Sequence, residues 1–225
     1  MRLGGLLKFS LIDYPGKVAG VIFTQGCNYR CPFCHNPELV MPGLFHDPLD
    51  VEEVFSFLEK RRGQLQGIVV TGGEPTIHLD LPQFLQRIKA MGYLVKLDTN
   101  GSCPEMLDAL SKAQLVDYWA MDIKSSFENY SRAAGVPVDI GLIRRSAGII
   151  KASGEAYEFR TTALKDILAA EDVEKIQSFI GCGQPYHCRR ANLKSKMLDG
   201  SLADRPDYTQ EEWQEIARIL GGCAG

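Results

Sequence analysis

Long apolar runs are what this sequence most clearly lacks. None approaches the roughly 18 residues that a membrane-crossing helix needs, so no transmembrane segment is expected. The opening stretch, Met1 to Lys8, has neither the apolar core nor the small-residue cleavage site of a secretory leader, which predicts a cytoplasmic protein. Charge imbalance is missing too. Lys and Arg total 25 against 28 Asp and Glu, a formal net charge of -3. That balance argues against a nucleic-acid-binding surface, and short basic runs such as Lys60-Arg61-Arg62 read as solvated faces. No tandem repeat, linker or low-complexity tract interrupts the 225 residues, a length that supports a substantial core.

Cysteine, by contrast, is plentiful. There are seven, and in a reducing compartment they read as metal ligands, reactive thiols or small buried residues sooner than as a disulfide framework. Three of them fall in the stretch Cys27-Asn-Tyr-Arg-Cys31-Pro-Phe-Cys34, with His35 next. Soft thiolates select zinc, copper or iron–sulfur. A structural zinc site tends to pair one Cys-x2-Cys with another, which this spacing fits poorly. An iron–sulfur cube usually takes four cysteines, and the loop offers three. The fourth iron is left to His35, to a distant cysteine, or to no protein atom. The last case leaves a coordination position open for a small molecule.

Periodicity organises the rest. Val18–Phe23 is a short apolar run that reads as a buried strand, and Gly67–Thr71, Tyr93–Leu97, Val116–Met121, Glu155–Arg160 and Tyr186–Leu193 read likewise. Between them lie helical patterns. Asp50 with Glu53, Ser102 with Glu105 and Thr209 with Glu212 have capping-box spacing, and Asp80 is placed to cap a stripe of Leu81, Phe84, Leu85, Ile88 and Met91. Helices are also predicted over Val138–Ile150 and Asp172–Phe179. Six βα units predict a parallel sheet with helices outside it. Six are too few for the closed eight-stranded barrel. The expected fold is α/β, a partial (β/α)6 barrel with an open, curved sheet. The expected layout is one domain over 1–225: an N-terminal extension at 1–17, the partial barrel at 18–193, and a loop and helix at 194–225.

The strands end in similar chemistry. They run into Cys27–Cys34, Gly72-Gly73-Glu74-Pro75, Asp98-Thr99-Asn100-Gly101, Asp122-Ile123-Lys124 and Arg160-Thr161-Thr162. Ligand sites of α/β proteins gather beyond the carboxyl ends of parallel strands. Five polar strand ends on one rim predict an enzyme site there.

On these residues the chain resembles the radical S-adenosylmethionine superfamily. The Cys-x3-Cys-x2-Cys loop, with Phe33 before its last cysteine, resembles that superfamily's cluster loop, and Gly72-Gly-Glu-Pro75 its second motif. Asp98–Gly101, Met121–Lys124 and Phe159–Thr162 resemble loops of the glycyl-radical-enzyme activases. Phe9–Gly16, Phe23-Thr-Gln-Gly26 and His35-Asn-Pro-Glu38 are most similar to the anaerobic ribonucleoside-triphosphate reductase activating proteins. The likeness runs from about Leu6 to about Leu164 and thins beyond.

The resemblance implies that Cys27, Cys31 and Cys34 hold a [4Fe–4S] cluster with one iron not bound by cysteine. S-adenosylmethionine would occupy that iron and be cleaved to a 5′-deoxyadenosyl radical, which takes hydrogen from a glycine of a partner enzyme. A flavodoxin- or ferredoxin-like protein would supply the electron. Cofactor contacts are expected from Gly72, Gly73, Glu74, Pro75, Asp98, Thr99, Asn100, Asp122, Lys124 and Arg160. Glycines 72 and 73 let backbone approach the ligand. Glu74 braces the turn that Pro75 fixes, and Lys124 is the cation for the methionine carboxylate. Asp98 and Asp122 are acceptors for its ammonium or ribose, or ligands for a small monovalent cation. Tyr29 and Asn36 are expected to pack around the cluster.

Other readings stay in view. A radical enzyme acting on a small molecule or a peptide, such as a deazapurine synthase or maturase, shares the same motifs. An iron–sulfur electron carrier or a zinc-stabilised module would leave Gly72, Gly73, Asp98 and Lys124 without a role. Cys103 reads as simply buried. Cys182 and Cys188, separated by the five residues Gly-Gln-Pro-Tyr-His, read as two partly buried thiols sooner than as a second metal site with Cys223. His46 and His78 belong to no ligand pattern. Met41–Pro48 and the tail after Lys194 are candidate docking surfaces for a partner protein.

Overall fold

The computed structural model describes residues 1–222, so Cys223 lies outside the described residues. The six predicted strands form, the first five largely buried in a parallel sheet and the last, at the sheet edge, alternately half-buried and exposed. They are β2 (Ala19–Thr24), β3 (Gly67–Gly72), β4 (Leu94–Thr99), β5 (Tyr118–Asp122), β6 (Ala156–Ala163) and β7 (Tyr186–Arg190), parallel and adjacent in chain order. A seventh, β1 (Leu3–Ser10), pairs antiparallel with β2. The sheet stays open, with β1 and β7 as its edges. The partial barrel is therefore present, but residues 1–17 are more than an extension. Strand β1 escapes notice in the sequence because Gly4 and Gly5 weaken its propensity and its pairing with β2 slips in register after Leu3 and after Leu7.

Eight α-helices occur among the described residues: α1 (Pro37–Val40), α2 (Val51–Lys60), α3 (Leu81–Ala90), α4 (Pro104–Lys112), α5 (Tyr130–Ala134), α6 (Ile140–Ala152), α7 (Ala170–Ile180) and α8 (Gln210–Gly222). The Asp50 carboxylate caps α2 by accepting from Glu52 N at 2.7 Å. Thr209 and Glu212 form a reciprocal box ahead of α8. Two predicted caps fail. Asp80 precedes α3 but pairs with the N-terminal ammonium of Met1. Cys103, not Ser102, occupies the cap position of α4, while Ser102 Oγ accepts from Asn28 and Glu105 pairs with Arg145.

Strand alternation sends the side chains to two faces. Ile68, Val70, Val95, Leu97, Trp119, Met121 and Phe159 are buried in the main core, which also takes in Leu81, Leu85, Leu107 and Ile143 from the helices. Each such side chain contributes roughly 1.5–3 kcal/mol on burial. The opposite face has a smaller cluster of Tyr14, Ala19, Val21 and Val69 at the amino ends of the strands. Tyr14 seals that end. A Cβ on Gly67 would sit 2.8 Å from its ring, and the Tyr118 ring lies 5.8 Å away. Toward the carboxyl ends the same face turns polar, and the site lies there.

Candidate active site

The cysteine loop leaves β2 and is anchored by backbone. Gly26 N donates to Leu39 O at 2.7 Å and Arg30 N to Ala134 O at 2.8 Å. Gly135, in the left-handed region at φ 68°, admits that second contact, since a Cβ there would lie 2.0 Å from Arg30 O. Arg30 folds back over its own loop, donating to the carbonyls of Cys27 (2.6 Å) and Tyr29 (2.7 Å). Asn28 ties the loop to the end of β4, donating to Ser102 and accepting from Asn100 at 2.9 Å.

Cys27, Cys31 and Cys34 are free thiols lining one cavity. Burial pushes the Cys27 thiol up to about 12, and it raises Cys31 and Cys34 as well, with Lys124 opposing the rise at all three. Protonated thiols of this kind release their protons when a metal takes them. His35 also lines the cavity, but its Nδ1 lies 3.2 Å from Lys196 O, a contact that occupies one ring nitrogen.

Gly72 and Gly73 pass directly under the loop. Gly73 N donates to Thr24 O at 2.9 Å and Glu74 N to Gly26 O at 2.8 Å. A Cβ on Gly72 would meet Thr24 N at 2.5 Å. In this structure the glycines are needed first for contact between two backbone segments. The Glu74 carboxylate is buried and accepts from Thr76 N, Thr76 Oγ1, Thr99 Oγ1 and Asn100 N. Burial raises its pKa, and those four donors oppose the rise. Glu74 thus joins the end of β3 to the end of β4. Pro75 is buried at the start of a 3-10 turn and, alone of the predicted contacts, does not line the cavity.

The floor is a ladder of charge across three strands. Lys96 Nζ is 2.6 Å from Asp98 Oδ1, and Arg160 Nη1 is 3.1 Å from Asp98 Oδ2. Arg160 Nε donates to Asp122 Oδ1 at 2.9 Å, and Lys124 Nζ lies 3.0 Å from Asp122 Oδ2. Glu158 completes the set, 3.8 Å from Arg160 and 3.9 Å from Lys96. Three cations face three carboxylates. Burial alone would raise the Asp122 carboxyl, but the charges of Arg160 and Lys124 outweigh it and hold the group below the ordinary carboxylate range. Lys124 and Arg160 are raised in turn: burial opposes this, and the negative charge of Asp122 does most to overcome it.

Lys124 is thus already paired, sharing Asp122 with Arg160. The oxygens of Asp98 and Asp122 are engaged by Lys96, Arg160 and Lys124. Among the described residues no group of three or more His, Cys, Asp or Glu is gathered to hold a metal ion. The second-metal reading of the tail gains nothing either. Cys188 is a free, half-buried thiol, whereas Cys182 is exposed and disulfide-bonded.

Thr71, Thr162 and Val40 also line the cavity; Thr162 belongs to the expected rim, but none of the three is among the expected cofactor contacts. The signal for the two threonines is alternation: Thr71 is two residues beyond Val69 on β3, and Thr162 two beyond Arg160 on β6. Every predicted contact except Pro75 meets at this one rim. A zwitterion with hydroxyls, held beside soft sulfur ligands, matches the cavity walls.

Known proteins resemble the chain in sequence and in fold. The Radical SAM superfamily matches residues 21–156, well over half of the chain. A protein of Methanocaldococcus jannaschii named as a glycyl-radical enzyme activating enzyme is 34% identical over 222 residues, covering 96% of this chain and 90% of the relative. The 7-carboxy-7-deazaguanine synthase of Aquifex aeolicus is 37% identical over 81 residues, 36% of this chain and 35% of that enzyme. Among solved structures, Streptococcus suis SuiB bound to its precursor peptide SuiA shares the fold with a TM-score of 0.68 at 12% identity. That match covers 89% of this chain and 44% of SuiB.

Proposed function

Because this chain belongs to the radical S-adenosylmethionine superfamily, we propose that Cys27, Cys31 and Cys34 hold a [4Fe–4S] cluster that carries S-adenosylmethionine on its remaining iron. The donor set fits. Three free thiols share one cavity, and a cube distributes its thiolates over different irons, so they need not converge on one point as the ligands of a single ion must. When bound, the pair supplies one-electron reductive cleavage of the sulfonium, giving methionine and a 5′-deoxyadenosyl radical.

The protein's own groups bind and orient. Lys124, beside the cysteines and itself held by Asp122, would meet the methionine carboxylate. The backbone at Gly72 and Gly73 would take the amino group, and Asp98 with Arg160 would take the ribose; all four line the cavity. Thr99 and Asn100 hold their loop through Glu74. The observation that carries this reading is the meeting of three thiols with the Asp98–Arg160–Asp122–Lys124 ladder on one rim.

For the substrate, the sharper reading is a glycine of a partner glycyl-radical enzyme, with an anaerobic ribonucleotide reductase as the first candidate and a flavodoxin or ferredoxin as donor. The full-length relative supports it. The broader reading, a radical enzyme acting on a small molecule or a peptide, has the wider backing, since deazaguanine synthase shares sequence and peptide-bound SuiB shares the fold.

Anaerobic incubation with S-adenosylmethionine and reductant tests the shared chemistry: wild type should release 5′-deoxyadenosine, and Cys31→Ala should release none. Adding an anaerobic ribonucleotide reductase should produce a glycyl-radical resonance signal. Cleavage without that signal from any glycyl-radical enzyme would leave the broader reading.

A further inference from the structure

The segment after β7 does not run free. Ala191 N still bonds Ala163 O at 2.8 Å, beside β6 and β7. Seven residues later the chain has reached the cysteine loop after β2. Leu198 N donates to Cys34 O and Asp199 N to Pro32 O, each at 2.9 Å. Lys196 O contacts His35 Nδ1 at 3.2 Å, and Lys196 Nζ lies 3.3 Å from Glu38 Oε2. Met197 and Leu202 anchor the segment in the main core. Because β7 is one edge of the open sheet and β2 is next to the other, these residues bridge its two sides above the carboxyl ends.

We propose that Lys196–Asp199 is a positioning segment for the cysteine loop. Its two backbone donors grip the carbonyls of Pro32 and Cys34, either side of Phe33 within the Cys31–Cys34 turn, which is itself closed by Cys34 N to Cys31 O at 3.0 Å. The grip keeps the Cys34 thiol turned into the cavity and limits water on that side of the cluster. Solvent exposure and ligand orientation both tune iron–sulfur potentials. The segment holds the loop through its backbone, while the Lys196 and Asp199 side chains stay exposed.

Leu198→Pro removes the donor to Cys34, and Leu198→Ala keeps it. In full-length protein reconstituted without oxygen, Leu198→Pro is expected to lose iron to a ferrous chelator roughly three- to tenfold faster than wild type, the effect of one lost hydrogen bond. Its midpoint potential should move positive as water gains access. Leu198→Ala should match wild type in both. Iron loss and potential unchanged in a folded Leu198→Pro protein would overturn the proposal. If that variant does not fold, Met197→Ala decides: it should release the segment and reproduce both changes, with Met197→Leu restoring them, and wild-type behaviour of Met197→Ala overturns the proposal. The inference rests on the cluster assignment to Cys27, Cys31 and Cys34. Wild-type protein that takes up no cluster overturns both, and that failure is visible before any variant is compared.

Discussion

Gly73 and Gly26 touch backbone to backbone: a Cβ on Gly73 would stand 2.0 Å from the Gly26 carbonyl oxygen. The contact joins the end of β3 to the root of the cysteine loop. Because the atom it would meet is main chain, neither side can yield by a rotamer change. Gly73→Ala should therefore cost about 1–3 kcal/mol of stability, as overpacking does, and impair cluster loading. Gly148, exposed in α6 with nothing within 4 Å of its missing Cβ, is the control. Gly148→Ala should stabilise by about 0.5–1 kcal/mol. Urea unfolding of both variants, with iron content, checks the pair. Equal behaviour of the two would refute the contact argument.

Arg160 holds two carboxylates, Asp98 and Asp122, from adjacent strands. Because the Asp122 carboxyl is held below its ordinary value of 3.8 in the fold, its contribution to stability is complete above that value. It is lost as pH falls below 3.8 toward the depressed folded value. Arg160→Gln removes the charge that does most of this. The variant should be less stable at pH 7 by roughly 1.5–3 kcal/mol, in line with a charged hydrogen bond. The gap to wild type should narrow as pH falls through the acid range. Urea midpoints measured from pH 7 down to 3 would show it, and a constant gap would contradict it.

Much of this site is legible in the sequence because it needs only local pattern. Apolar runs at βα spacing force a parallel sheet, a parallel sheet sends every carboxyl end to one rim, and the Cys27, Gly72, Asp98, Asp122 and Arg160 segments all follow such runs. What stays hidden depends on distant pairing. Asp98 and Arg160 lie 62 positions apart and meet only because β4, β5 and β6 are neighbours. Lys96 and Glu158 sit within strands, where a charge looks like an exposed residue, yet both point to the face that carries the ladder. Strand β1 and the Lys196–Asp199 segment owe their positions to backbone hydrogen bonds, which leave no trace in side-chain periodicity.

Tyr29 is buried, and its hydroxyl has no hydrogen-bond partner among the described residues. A buried hydroxyl left unpaired costs more than the same ring without it. Tyr29→Phe keeps the packing and removes the orphan, so cluster-free protein carrying it should be as stable as wild type or more stable by up to about 1 kcal/mol. Thermal unfolding of the apoprotein measures this. A clear loss of stability would mean that the hydroxyl has a partner in solution.

Lys124 lies between the cysteines and Asp122, so its ammonium serves two purposes that one substitution separates. Removing it leaves Asp122 still paired with Arg160, which limits the structural damage. It also removes the nearest cation to the place assigned to the methionine carboxylate. Lys124→Met should keep its iron content and fold, but bind S-adenosylmethionine roughly 10- to 100-fold more weakly, the equivalent of one charge-assisted hydrogen bond. Lys124→Arg, which keeps the charge but not its shape, should fall between the two. Anaerobic equilibrium titration of the reconstituted proteins with S-adenosylmethionine reads the affinities directly. An unchanged affinity in Lys124→Met would move the carboxylate to Arg160 and restrict Lys124 to neutralising Asp122.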